Sequence, residues 1–534
     1  MTIGAALTQL RAALGPDRIV EGSNERALAG QDVFTIGGPV AAVARPTSVS
    51  EVQQLVAVAR QHGLALAPRG GGMSYTRAYL TADPARTIVV DMQSMTAIRE
   101  INPRDMYAIV EPGCTWQALD EALAGHDLEV PYRGPVSGRV ATIGGGISQN
   151  AVFYGSGLFG TAADNVLGVE VVTGTGEVIR TGSLAIPGGS PFLRHFGPDL
   201  TGLFTADCGA MGLKTAIVLK LRRRPALRDA VSFSTAALPT VLDFIERLGI
   251  EGIASQITAM DVRLQQERIA QAGWGDKLRH TGKLLTGGGS AIRKLGEAAA
   301  LARAGMASSP GRGFAVHVFL EGLDAADCAR QAERVGAIAG ELGLQSSNAA
   351  VALAMVRTPF GPVTGLGGAP GERWVPVHFI LPHSRAAQGM ALIQAVLDEN
   401  AAEIATAGIK VRHLLANLGA GAITLEPMFL WRDRLTDLAY ATIAEQGGKA
   451  DATSTANPAA EALVSRLRRT MVERIDAIGA VHTQLGRQYP YLPRLAPETA
   501  ALFTALHRTL DPDGVMNPGV LGTPALPPAK GDAP

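Results

Sequence analysis

Glu426, His482, His378, Tyr154 and Tyr491 are side chains whose types suit acid/base work on a small molecule. An imidazole has its ordinary pKa near about 6.5, so His482 in a cleft is a natural general base or partner for an ionised phenol. A satisfied structural histidine is the other reading. Glu426 interrupts the apolar run Ile423 to Leu430. A carboxylate is costly inside a strand unless paired, so it faces either an active site or a wet edge. His378 sits in Val375-Pro376-Val377-His378-Phe379-Ile380 and reads first as a sheet-packing histidine. Tyr154 and Tyr491 are phenolic alternatives.

Such groups need a reagent held beside them, and two glycine-rich runs have the character to hold one. Arg69-Gly70-Gly71-Gly72-Met73-Ser74 follows Leu64-Ala65-Leu66-Ala67, a short buried strand, and so forms a tight loop at a strand end. Three glycines remove every Cβ between backbone and ligand, and their N–H groups can converge on an anion such as a pyrophosphate. The second run is Thr142-Ile143-Gly144-Gly145-Gly146-Ile147-Ser148-Gln149-Asn150, read as a loop. Neither fits the G-x-G-x-x-G fingerprint or the G-x-x-x-x-G-K-[ST] phosphate loop.

Composition narrows the class. A chain of 534 residues exceeds one ordinary core and implies two domains. Charged residues are 18% and the net charge is +0, with no long basic block, which argues against a nucleic-acid partner. Cys114, Cys208 and Cys328 have neither disulfide nor metal-site spacing, so a reducing, cytoplasmic setting is expected. No export signal is read at the N-terminus. The charge-free stretch from Val140 to Ala163 is full of Gly, Ser, Gln, Asn and Thr and reads as loops, so no membrane span is expected.

The elements that must position these residues follow in order. Met1 to Leu14 is a packing helix, Pro39 to Arg45 a strand, Ser48 to Gln61 a helix, Thr87 to Asp91 a strand, and Tyr107 to Gly113 another that ends in a turn. Val166 to Val172 followed by Thr173 to Arg180 has the pattern of two strands around a Gly-rich turn, a hairpin, and Lys214 to Leu221 is a strand ending at Arg222-Arg223-Arg224-Pro225, read as a solvated edge. This is an α+β domain with a mixed sheet, and its boundary falls at residue 225. Beyond it lie helices over Leu238 to Leu248, Ala325 to Gly343 and Ala386 to Ala407, with strands over Phe314 to Leu320, Trp374 to Leu381 and Ile423 to Leu430. Gly447 to Pro458 reads as an exposed loop or lid, Ala459 to Ile478 as a helix, and Thr523 to Lys530 as a frayed tail.

These blocks together resemble the FAD-binding superfamily of vanillyl-alcohol oxidase and 4-cresol dehydrogenase, which includes the glycolate oxidase and D-lactate dehydrogenase flavoproteins. Besides the two glycine runs, the resemblance is carried by Gly160 to Gly168, Gly209 to Leu213 and Asp511 to Gly519. It implies a two-domain, PCMH-type α+β fold. Residues 1–225 would bind FAD, 226–480 would form a cap of antiparallel sheet covered by helices, and 481–534 would return to the FAD domain. It implies FAD held by Arg69, Gly70, Gly71, Gly72, Met73 and Ser74, by Thr142, Gly145, Ser148 and Asn150, and by Gly212, Leu213 and Asn517. Met73 stands where some relatives carry a cofactor-linking histidine, so FAD is expected to be non-covalent. The Gly-Asp-Gly-Asn-x-His and Glu-His-Gly metal runs of the hydroxy-acid members are missing, and no metal is expected.

Some relatives bind a phenolate with tyrosines and an arginine; here His482 replaces the arginine, and Arg487 and Tyr489 either rebuild that function or pack. The resemblance therefore implies an FAD-dependent oxidoreductase taking a hydride from an alcohol or phenolic benzylic carbon. Its partners would be a small-molecule substrate and an electron acceptor, which is oxygen, a cytochrome or another carrier, and the protein would be a homo-oligomer. A 2-hydroxy-acid dehydrogenase, with Arg77 or Arg139 as carboxylate clamp, and a flavin-carrying electron-transfer subunit are the alternatives.

Overall fold

The computed structural model describes residues 3–271, 313–361, 363, 371–448, 451 and 453–528. Its first layer is a four-stranded sheet in the order Ile19–Val20, Ala42–Ala44, Thr87–Asp91, Ala65–Arg69. The last three strands run parallel, so their connections must cross over the sheet, and the helix Val49–His62 makes one crossing. Ser48 caps that helix by accepting from the Glu51 N–H, and Gly63 ends it in the left-handed region at φ 62°. Val52, Leu55, Val56 and Ala59 recur at helical spacing and face the helix Ile3–Leu14 and the sheet. Full burial of Leu55 or Val56 contributes about 1.5–3 kcal/mol each.

The second layer is antiparallel, in the order Ile98–Asn102, Tyr107–Val110, Leu213–Lys220, Val166–Val172, Val178–Arg180, and contains the expected hairpin. The third sheet has eight strands, seven in sequential pairing and one more attached to the sixth. It runs Gln345–Ser347, Leu227–Thr235, Phe314–Gly322, Gln256–Asp261, Lys410–Leu418, Ala422–Arg432, Glu372–Pro376, with Phe379–Pro382 also on Ala422–Arg432. Leu238–Glu251, Ala325–Glu341, His383–Glu399 and Pro458–Asp476 cover one face, burying Ile245, Ile338, Ile393 and Val464 in one core. The other face is left to roof a cavity. The chain then returns: the Leu66 N–H donates to the Val515 carbonyl at 2.8 Å, and the Asn517 N–H to the Leu66 carbonyl at 2.9 Å.

Several elements differ from their sequence reading. The second glycine run is a helix over Ile143–Ser148, because Thr142 accepts from the Gly145 N–H and caps it. The strand expected from Trp374 to Leu381 is interrupted at Val377 and His378, where Pro376 and the facing Pro427 have no N–H to give the ladder. The helix expected from Ala386 to Ala407 breaks at Asn400. The arginine triplet is no solvated edge. Arg222 and Arg228 both pair with the fully buried Glu129, and Arg224 with Asp120 at 2.7 Å; only Arg223 is exposed. Of the expected lid, Lys449, Ala450 and Ala452 lie outside the described residues, as do Ala529 and Lys530 of the tail. Among the described residues no helix is long and apolar enough to cross a membrane.

Candidate active site

The glycine triplet sits where the strand Ala65–Arg69 ends, and its lack of side chains is a packing requirement. A Cβ on Gly70 would strike Thr142 Oγ1, and one on Gly71 would strike the Val140 carbonyl. Gly72 has φ +70°, which a side chain would strain. The two glycine runs therefore lie backbone against backbone, and between them and the third sheet is a cavity of about 1120 Å³. That exceeds the ~300–1,000 Å³ of a site for one drug-sized ligand. Arg69, Gly70, Gly71, Gly72, Met73, Ser74, Thr142, Gly145, Ser148 and Gly212 line it, as do Cys208, Gly209 and Lys214. A bare peptide wall flanked by the cations of Arg69 and Lys214, with Arg69 Nε buried and without a partner, fits a large anionic cofactor such as FAD.

Asn150, Leu213 and Asn517 do not line the cavity; they build its frame. Asn150, at φ 51°, accepts the Ala163 N–H through its side chain, and Leu213 is buried in the core beneath the first sheet. Asn517 Nδ2 donates to the carbonyls of Ala78 and Cys208 at 2.8 and 2.6 Å, tying the returning chain to both sides of the cradle.

The roof comes from strand register. Residues directly opposite across antiparallel strands share a face, so Met260, Leu414 and Glu426 form one row, with Ala416 beside Thr424 in the next. All five line the cavity, together with Trp374 and Gln256. Glu426 is thus placed over the cavity, not at an outer edge. The end wall is made by Tyr75, His378, Thr483 and Gln484.

His378 is 2% exposed, and both its nitrogens are engaged. Nε2 donates to the Thr483 carbonyl at 2.5 Å, which leaves Nδ1 to accept from the Tyr489 hydroxyl at 3.2 Å. Burial first, then His482 nearby, pushes its pKa down to about 3, so the ring is neutral. Burial likewise raises the Tyr75 phenol well above its usual range, with the charge of Glu426 adding to it.

The other sequence candidates lie behind this wall. Tyr489 is 2% exposed, accepts the His378 N–H at 3.0 Å, and does not border the cavity. His482 has a fully buried side chain: Nδ1 donates to the His378 carbonyl at 2.9 Å, and Nε2 faces Asp476 at 2.8 Å. Both nitrogens are taken by protein partners and the ring does not border the cavity, which is the physical reason that the general-base reading of His482 does not fit its position. Arg487 spends its guanidinium on the carbonyls of Arg77, Ala78 and Pro518 and on Asn517 Oδ1, so it is a clamp on the returning chain. Tyr154 lines the cavity, whereas Tyr491 packs on Phe503. Arg77 and Arg139 do not line it. Tyr75 and Lys214 were not singled out in the sequence; Tyr75 follows directly after Ser74, a position that would have marked it.

Comparison with known proteins agrees with this construction. Residues 40–182 match a family described as FAD binding domain. A FAD-linked oxidoreductase of Mycobacterium tuberculosis is 29% identical over 215 residues, covering 40% of this chain and 44% of that one. Glycolate oxidase subunit GlcD of Bacillus subtilis is 29% identical over 208 residues, covering 38% and 42%. The chain thus spans less than half the length of these relatives. Two solved structures share the whole fold with a TM-score of 0.74 and cover 98% of this chain and 97% of theirs: substrate-bound p-cresol methylhydroxylase at 16% identity, and 4-ethylphenol oxidase from Gulosibacter chungangensis with isoeugenol at 17%. With the glycine cradle in place, residues 40–182 carry an FAD binding domain, and the chain as a whole shares the fold of p-cresol methylhydroxylase and 4-ethylphenol oxidase.

Proposed function

We propose that this protein is an FAD-dependent oxidoreductase that removes a hydride from an alcohol or phenolic benzylic carbon of a small organic substrate. The observation that carries the reading is the single cavity, continuous from the glycine cradle to the roof that holds Glu426. When bound, FAD supplies a ring that accepts the hydride. The chain's own residues do the rest. Residues 1–225 and 481–534 hold the cofactor, and 226–480 form the cap.

Trp374, Met260 and Leu414 exclude water and offer an apolar surface to a ring or alkyl group. Glu426 is the group that receives the substrate hydroxyl proton, since a carboxylate is the strongest base on the roof. His378, neutral and held at both nitrogens, keeps the end wall fixed, and Tyr75 offers its hydroxyl to a substrate oxygen. The second partner is an electron acceptor, and we extend the reading to a cytoplasmic homo-oligomer.

A 2-hydroxy acid needs an arginine for its carboxylate. Among the described residues lining the cavity, Arg69 is the sole arginine, and it lies on the cradle. This favours the uncharged alcohol or phenol. Anaerobic bleaching of the bound flavin against a panel of phenolic alcohols and 2-hydroxy acids tests the choice. Bleaching by alcohols supports the reading; bleaching by hydroxy acids alone replaces it; bleaching only by another protein leaves an electron-transfer subunit.

A further inference from the structure

Lys214 is an ammonium walled into the cofactor cavity. It lies next to Gly212 at the start of the strand Leu213–Lys220, its side chain is 3% exposed, and it lines the cavity. Its Nζ donates to Asp207 Oδ1 at 2.6 Å, and Asp207 is itself 2% exposed. An ammonium carries three N–H donors. Asp207 takes one, and among the described residues Nζ has no other hydrogen-bond partner. Asp207 Oδ2 is buried and also without a partner.

Desolvating an ion pair costs several kcal/mol per ion, and this geometry recovers it only incompletely, because donors and an acceptor stay unmatched. Leu213 and Ala216 beside it show that the strand accommodates apolar residues here. The pair is also fixed to the cradle by backbone. The Cys208 N–H donates to the Ser148 carbonyl at 2.9 Å, and Gly209 packs against Pro68, the residue before Arg69. Unspent donors of a cation, held against a glycine cradle, suit an anionic oxygen.

We propose that Lys214 donates to a pyrophosphate oxygen of bound FAD, and that Asp207 is a positioning residue that aims the ammonium. The inference rests on the FAD-binding assignment and is independent of which substrate is oxidised. Asp207 Oδ1 fixes the direction of the lysine stem, and the buried setting strengthens the contact that remains to be made.

The test follows FAD release from the holoprotein by the recovery of flavin fluorescence, alongside the reduction potential of the bound flavin and competition by riboflavin, which has no pyrophosphate. Lys214→Met is expected to speed FAD release at least about tenfold, the effect of one charge-assisted hydrogen bond, with the potential and the affinity for riboflavin itself unchanged, so that riboflavin displaces FAD more readily. Because Lys214→Met leaves the Asp207 carboxylate buried alone, the double variant Lys214→Met/Asp207→Asn is measured beside it, and the loss of retention is expected to persist. Three results overturn the proposal: FAD release at the native rate in Lys214→Met; full recovery of retention in the double variant; or a changed potential with retention intact, which would put the ammonium at the flavin ring.

Discussion

His482 lies flat on Tyr489, with ring centroids 4.1 Å apart and 13° between the planes, and the pair backs the wall that carries His378. The imidazole is pinned at both nitrogens, by the His378 carbonyl and by Asp476, which Arg494 also engages at 3.2 Å. Replacing it should therefore loosen the wall without removing a base. His482→Gln is expected to lower stability by about 1–3 kcal/mol, the cost of leaving buried polar groups unmatched, while flavin reduction stays within about tenfold of native. Denaturant unfolding and anaerobic reduction kinetics check both halves. A loss of about a hundredfold or more in reduction rate, with native stability, would return His482 to the chemistry.

Gly71→Val should abolish FAD retention through the protein's own packing. The new Cβ would meet the Val140 carbonyl, and the two glycine runs could no longer lie together. Purified variant is expected to lack visible flavin absorbance and to take up little added FAD. Native flavin content would show that the loops tolerate separation and that the cradle is wrongly placed.

The cradle was legible because Gly70 to Gly72 announce a backbone that something approaches closely, and backbone geometry is local. The face of Glu426 was left open between an active site and a wet edge, and only its pairing opposite Leu414 puts it over the cavity. The position of His482 was not legible. Its sequence neighbours say nothing of Asp476, which reaches it across the turn after a helix, nor of His378, whose carbonyl it holds from a break between two strands about a hundred residues earlier. Lys214 escaped notice for the same reason, since a lysine in an apolar strand looks like an edge until Asp207 is found beside it. Arg222 and Arg224 misled in the opposite direction: three adjacent charges read as surface, and only the fold brings Glu129 to Arg222 and Asp120 to Arg224.

Two buried histidines set an acid limit on stability. Burial pushes His378 down to about 3 and His317 down to about 4, the latter with Nδ1 on the Ser232 hydroxyl at 2.8 Å and Nε2 without a partner. The folded chain keeps both rings neutral, whereas the unfolded chain protonates them below about 6.5. Stability is thus fully present above about pH 6.5 and falls as the pH drops toward the folded values, by about 1.4 kcal/mol per pH unit for each ring. Urea unfolding between about pH 7 and 5 should show this slope, and His317→Gln should reduce it by about one proton. An unaltered slope in that variant would mean that His317 titrates normally in the folded protein.

Glu426 is the carboxylate that register places over the cavity, opposite Leu414 and in line with Met260. Glu426→Gln keeps the side chain's size and hydrogen-bonding reach but removes its capacity to accept a proton. Flavin content should be native, because the cradle lies on the opposite wall. Anaerobic flavin reduction by the best alcohol or phenol should slow by about a hundredfold or more, the usual scale of general acid–base assistance, and the acid limb of the native pH profile should vanish with it. A native rate would make Glu426 part of the wall and move the search for the base to the other polar groups of the cavity, Tyr75 first.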